Sequence, residues 1–162
     1  METLYVRIVL LVLLSTGILT TTAACVEKPK DTEEYLEFNS GGDYHPSGYG
    51  AWYARLCGDG SLVVTHSVGG ETKSRDVFML TKREARDLFS LFCAVDIKRM
   101  KSPDRPGLPD EVRYSFGLKD GSGTYNKSVW INDAGQDPAI MDLVGYLETL
   151  IEKYGGTKPV MR

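Results

Sequence analysis

The chain predicts an α+β fold with one antiparallel sheet, in the order ββββαββα, and with both helices packed on one sheet face. Three observations carry that expectation. Alternating apolar and polar residues, broken by glycine turns, run from Tyr35 to Leu80. The period then lengthens to a helical one after Thr81, and again after Asp137. Between those stretches lies one more alternating pair, and half-apolar strands need amphipathic helices to cover them.

Tyr35-Leu36-Glu37-Phe38 is the first strand, ended by Ser40-Gly41-Gly42. Trp52, Ala54 and Leu56 alternate against Tyr53, Arg55 and Cys57 as the second, and Gly58-Asp59-Gly60 is a hairpin turn. Leu62, Val64 and Val68 share a face of the third, Gly69-Gly70 turns the chain, and Arg75 to Leu80 forms the fourth. Thr81-Lys82-Arg83-Glu84 reads as a capping box, and Ala85, Leu88, Phe89 and Phe92 follow at helical spacing to an end near Cys93. A proline-rich loop from Ser102 to Pro109 leads to Val112, Tyr114, Phe116 and Leu118, a strand with one buried and one wet face. Asp120-Gly121-Ser122-Gly123 returns it as a strand over Tyr125 to Ile131. Asp137 is an N-cap and Pro138 the first helical residue. A stripe from Ile140 through Leu147 to Tyr154 defines the last helix, which Gly155 ends.

The whole chain has 162 residues and a formal net charge of −3. With 42% hydrophobic and 25% charged residues, it has globular composition and room for one domain once a leader is removed. A pI near 5.4 argues against a nucleic-acid binder that works through a basic surface.

Ahead of the domain, Arg7 precedes an aliphatic run from Ile8 to Leu14, and small residues Ala23 and Ala24 follow. This is the layout of a secretory signal over residues 1–24, too short and too rich in threonine to span a membrane. Residues 25–33 are charged, interrupted by Pro29, and read as a tether; residues 34–155 form the domain and 156–162 a C-terminal tail. Thr22-Ala23-Ala24-Cys25 resembles the lipobox of bacterial lipoproteins, with Thr22 where a large aliphatic residue is usual. The resemblance implies acylation of Cys25, a lipid anchor and an exported, cell-envelope location. Val26, a non-aspartate, implies sorting to an outer membrane if the host has one.

With Cys25 set aside, Cys57 and Cys93 form an even pair in an oxidising compartment. They are a candidate disulfide or a pair of buried thiols; a bridge would close a loop of about 35 residues. Of the two histidines, His45 and His66, His66 lies in a strand with no Cys, Asp or Glu at ligand spacing, so a metal site would have to be assembled from distant residues; no nucleophile elbow, phosphate loop or dinucleotide motif is present. The expectation is therefore a non-catalytic chain without cofactor or metal. The first loop concentrates Tyr44, Tyr49, Trp52 and Tyr53 beside flexible glycines, a composition suited to gripping a partner or stacking on a sugar. Ordinary packing of those rings against the sheet is the alternative, and the stiff loop from Ser102 to Asp110 is a second possible contact surface.

Gly41-Gly42 after the first strand, Leu80-Thr81 leading to Glu84 and Leu88, Pro109-Asp110 before a tyrosine-bearing strand, the Asp120-Gly121 hairpin and Pro138 occur here in one order. That order, over Tyr35 to Tyr154, resembles emfourin-type inhibitors of thermolysin-like metalloproteases and other small secreted domains. The resemblance implies a binding module that inhibits an extracytoplasmic protease, and no inhibitory residue is carried over from it. A ligand- or carbohydrate-binding domain, or an enzyme with no recognisable motif, is the alternative.

Overall fold

The computed structural model describes residues 34–44 and 48–161. The leader, Cys25 and the tether lie outside the described residues. Six strands form one sheet: β1 (Tyr35–Asn39), β2 (Ala51–Cys57), β3 (Ser61–Val68), β4 (Glu71–Met79), β5 (Arg113–Asp120) and β6 (Gly123–Trp130). Their spatial order is β4-β3-β2-β1-β5-β6, and every neighbouring pair is antiparallel. The helices are α1 (Lys82–Val95), α2 (Ile131–Ala134) and α3 (Pro138–Gly155). The α+β class and the order of strands and long helices are as the sequence predicts.

Alternation decides which face is covered. Leu36, Phe38, Ala54, Leu56, Leu62, Val64, Tyr114, Phe116 and Leu118 are buried on one face, where they meet Leu88 and Phe92 of α1 and the Ile140-to-Ile151 stripe of α3. Phe38 sits at the centre, edge-on to Tyr114 at 5.1 Å and tilted against Phe116 at 5.5 Å. Among the described residues the other face carries no helix.

The helix ends follow the expected chemistry. The Thr81 hydroxyl accepts from the Glu84 amide while the Glu84 carboxylate accepts from the Thr81 amide, a complete capping box. Asp137 caps α3 through the Ala139 amide at 2.9 Å, with Pro138 following. Gly155 is still helical; Gly156 takes the left-handed turn at φ 72°. Glu84 also joins the helices, accepting from Lys153 at 2.5 Å and Tyr154 at 2.8 Å.

Three expectations are corrected. The fourth strand begins at Glu71, because the Gly69-Gly70 turn hands the chain directly back to β3; a bulge opposite His66 and Ser67 absorbs one residue. The last strand ends at Trp130, since the Ile131 amide bonds back to the Val112 carbonyl at 3.1 Å and the chain turns into α2. Beyond α3 the chain packs back onto the domain: Met161 is buried and its carbonyl accepts the Tyr114 hydroxyl. Finally, Cys57 is a free thiol, so the Cys57–Cys93 bridge is not formed. Strand parity is the reason. Cys57 follows buried Leu56 and so points to the face without helices, while Cys93 belongs to α1 on the opposite face. Cys93 is disulfide-bonded, but not to Cys57.

The proline-rich loop is held by an ion cluster. Arg105 donates to both Glu111 carboxylate oxygens, at 2.9 and 2.8 Å, and reaches Asp133 at 3.0 Å. Glu111 also accepts from the Leu108 amide at 2.9 Å, and its side chain is almost wholly covered. Held chiefly by Arg105, the Glu111 carboxyl is pulled down to about 2.

Candidate functional site

The four aromatics of the first loop do not stay together. Tyr44 is 78% exposed and Tyr49 53% exposed, at one end of the sheet. Trp52 is buried at 9%, under the helix-covered face. Tyr53, one residue on, faces the opposite side of the sheet.

The exposed pair rides on a loop with several fixed points. The Asp43 carbonyl accepts from the Gly69 amide, and its carboxylate from the Gly70 amide, both at 2.8 Å. Tyr44 leans its hydroxyl over Gly70, where an added Cβ would stand 2.4 Å from that oxygen. On the far side, Trp52 stacks on His66 with ring centroids 4.2 Å apart and planes 9° apart. His66 Nε2 then donates to the Tyr49 carbonyl at 3.0 Å. Gly50 completes the clamp at φ 72°, its backbone so close to β3 that a Cβ would lie 2.1 Å from the Ser67 carbonyl oxygen. Two exposed tyrosines on a tied loop lose little entropy when they meet a surface.

The face without helices holds a second feature, which follows from register alone. Arg55, Glu37, Gly117 and Asn126 stand side by side across β2, β1, β5 and β6; Tyr53, Asn39, Ser115 and Ser128 form the next row. Glu37 Oε2 accepts from the Tyr53 hydroxyl at 2.5 Å and from Arg55 at 3.1 and 2.9 Å. The Arg55 guanidinium also covers the Tyr35 ring at 4.2 Å. Partial burial, reinforced by the Glu37 carboxylate, pushes the Tyr53 phenol well above its ordinary range, so it is a neutral donor. The Glu37 stem lies over Gly117, where a Cβ would come within 2.4 Å of it. The missing side chain leaves a cleft of about 420 Å³, lined by Glu37, Asn39, Tyr53, Ser115, Asn126 and Ser128 among others.

Of the residues singled out in the sequence, Tyr53 and Ser102, the first residue of the proline-rich loop, reach this cleft. Its other members lie on strands far apart in the chain, and pairing register brings them together. Gly117 was the available signal: a glycine inside a clean strand marks a close approach. Among the described residues no group of three or more His, Cys, Asp or Glu side chains comes together as a metal site. No described helix is long and apolar enough to cross a membrane.

No protein-family model matches the chain, and no curated protein matches its sequence.

Proposed function

We propose that the chain is an exported, non-catalytic binding module of the cell envelope that grips a protein partner at the Tyr44–Tyr49 end of its sheet. The observation that carries the reading is the exposure of Tyr44 and Tyr49 on a loop tied to the β3–β4 turn and to His66. Aromatics of this kind dominate protein interfaces, while a ring packed only for stability is covered. The resemblance to emfourin-type inhibitors makes an extracytoplasmic metalloprotease the most concrete partner, and export rests on the signal-like leader.

The test uses the purified chain against a thermolysin-like metalloprotease, with Tyr44→Ala and Tyr49→Ala as variants. Stoichiometric inhibition by the parent chain is expected, weakened by roughly tenfold or more in each variant, since an interface tyrosine contributes about 2 kcal/mol when truncated. Melting temperatures should stay close to the parent. Loss of folding in both variants, with affinity per folded molecule unchanged, would place the binding surface elsewhere. Absence of inhibition would remove the protease subcase and leave the tyrosine surface to be tested by photo-cross-linking at Tyr44 in native envelopes.

Anchoring rests on the lipobox-like Thr22-Ala23-Ala24-Cys25. Intact mass of the mature chain separates the two exported forms: a lipid increment at an N-terminal Cys25 marks the envelope-anchored form, and a chain without it marks the secreted one.

A further inference from the structure

We infer that the cleft over Gly117 is a binding site for a neutral, polyhydroxylated ligand, a glycan segment, distinct from the tyrosine surface. Its hydrogen-bonding capacity is built and left over. Among the described residues three donors converge on Glu37 Oε2 and none on Oε1, which lies 2.5 Å from where a Cβ on Gly117 would stand. Gly117 therefore keeps a carboxylate oxygen available as an acceptor. Asn39 Oδ1 accepts from the Gly41 amide at 2.7 Å, which fixes its amide orientation and leaves its NH2 as a donor. Asn126, Ser115 and Ser128 border the same space with side chains that make no intramolecular hydrogen bond among the described residues.

Charge narrows the class. Arg55 neutralises Glu37 in place, and apart from Lys127 at the edge strand the remaining lining groups are uncharged. A phosphate or a carboxylate would meet the Glu37 oxygen, and a cation would compete with a guanidinium already seated there. A row of hydroxyls suits both needs, donating to Glu37 Oε1 and accepting from the two asparagine amides. The cleft volume of about 420 Å³ falls within the roughly 300–1,000 Å³ of small-ligand sites. Glu37 is held from behind by Tyr53 and Arg55, so the acceptor is positioned before a ligand arrives.

The experiment is a ¹⁵N-resolved titration of the full chain with neutral tetrasaccharides of β-linked glucose, α-linked glucose and β-linked N-acetylglucosamine, with inorganic phosphate as the comparison. Saturable shifts centred on Gly117 and Asn126 are expected with at least one sugar and none with phosphate. Asn126→Ala, on the exposed edge strand, should weaken that sugar about tenfold, as lost hydrogen bonds of roughly 1.4 kcal/mol predict. Gly117→Ala should do the same by displacing Glu37. The inference is overturned if no sugar saturates, if phosphate binds instead, if the shifts centre on Tyr44 and Tyr49, or if Asn126→Ala binds like the parent. Because Tyr44 and Tyr49 lie outside the cleft, their alanine variants should leave sugar binding intact, which keeps this result separate from partner binding.

Discussion

Gly48 and Gly50 have nearly equal backbone angles, φ 71° and 72°, yet they answer to different constraints. An added Cβ meets nothing within 4 Å at Gly48, but at Gly50 it collides with the Ser67 backbone. Both alanine substitutions carry the left-handed strain of about 1 kcal/mol. Gly50→Ala adds a backbone clash, so urea denaturation should show it to be the more damaging by at least about 1 kcal/mol. Tyr53 offers a pH prediction at the same scale. Its folded pKa is raised above the ordinary 10.0, so its contribution is fully present below pH 10 and is lost as pH rises above that value through the folded pKa. Tyr53→Phe should therefore lower stability at neutral pH and remove part of the parent's decline in alkaline solution, read from melting temperatures against pH.

Among the elements, α1 is tied down at its first turn. Glu84 closes the capping box and receives Lys153 and Tyr154 from α3; Lys153 above all draws its carboxyl down to about 2. A depressed carboxyl stabilises the fold above its unfolded value, 4.5, and that contribution disappears as pH falls from there through about 2. Glu84→Gln should flatten this acid limb. Thr81→Ala should cost about 1 kcal/mol at pH 7 from the lost cap. The proline-rich loop has its own anchor in Arg105. Arg105→Leu would leave the covered Glu111 carboxylate without its cation, so amide exchange should rise across residues 104–111 and leave α3 protected.

For the whole molecule, the exposed feature with the widest consequence is β4. It is an edge strand of nine residues with Val77 62% and Met79 64% exposed on the face without helices. An open edge of that length invites pairing with another chain, and here Lys73, Arg75 and Asp76 interrupt it, together with the bulge. Replacing Lys73 and Arg75 with valine should make the apparent mass in light scattering rise with concentration beyond that of the parent chain. The opposite edge, β6, lies beside the proline-rich loop: the Trp130 indole donates to the Arg105 carbonyl at 3.1 Å.

What the linear chain determined is whatever depends on neighbours in sequence. Alternation specified the strands, Thr81 and Glu84 the start of α1, Asp137 and Pro138 the start of α3, and the hydrophobic stripes the face each helix buries. Those are short-range effects of backbone geometry and capping, complete within a few residues. What spans the sheet was decided only by tertiary structure. Cys57 and Cys93 looked like a pair by number, and parity set them on opposite faces. Tyr44, Tyr49, Trp52 and Tyr53 looked like one cluster, and the alternating strand divided them among a loop, the core and the open face. Glu37, Asn39, Gly117 and Asn126 showed no common signal, because the register that joins β1, β5 and β6 is settled by packing of the covered face, more than 70 residues of chain away from where β1 begins.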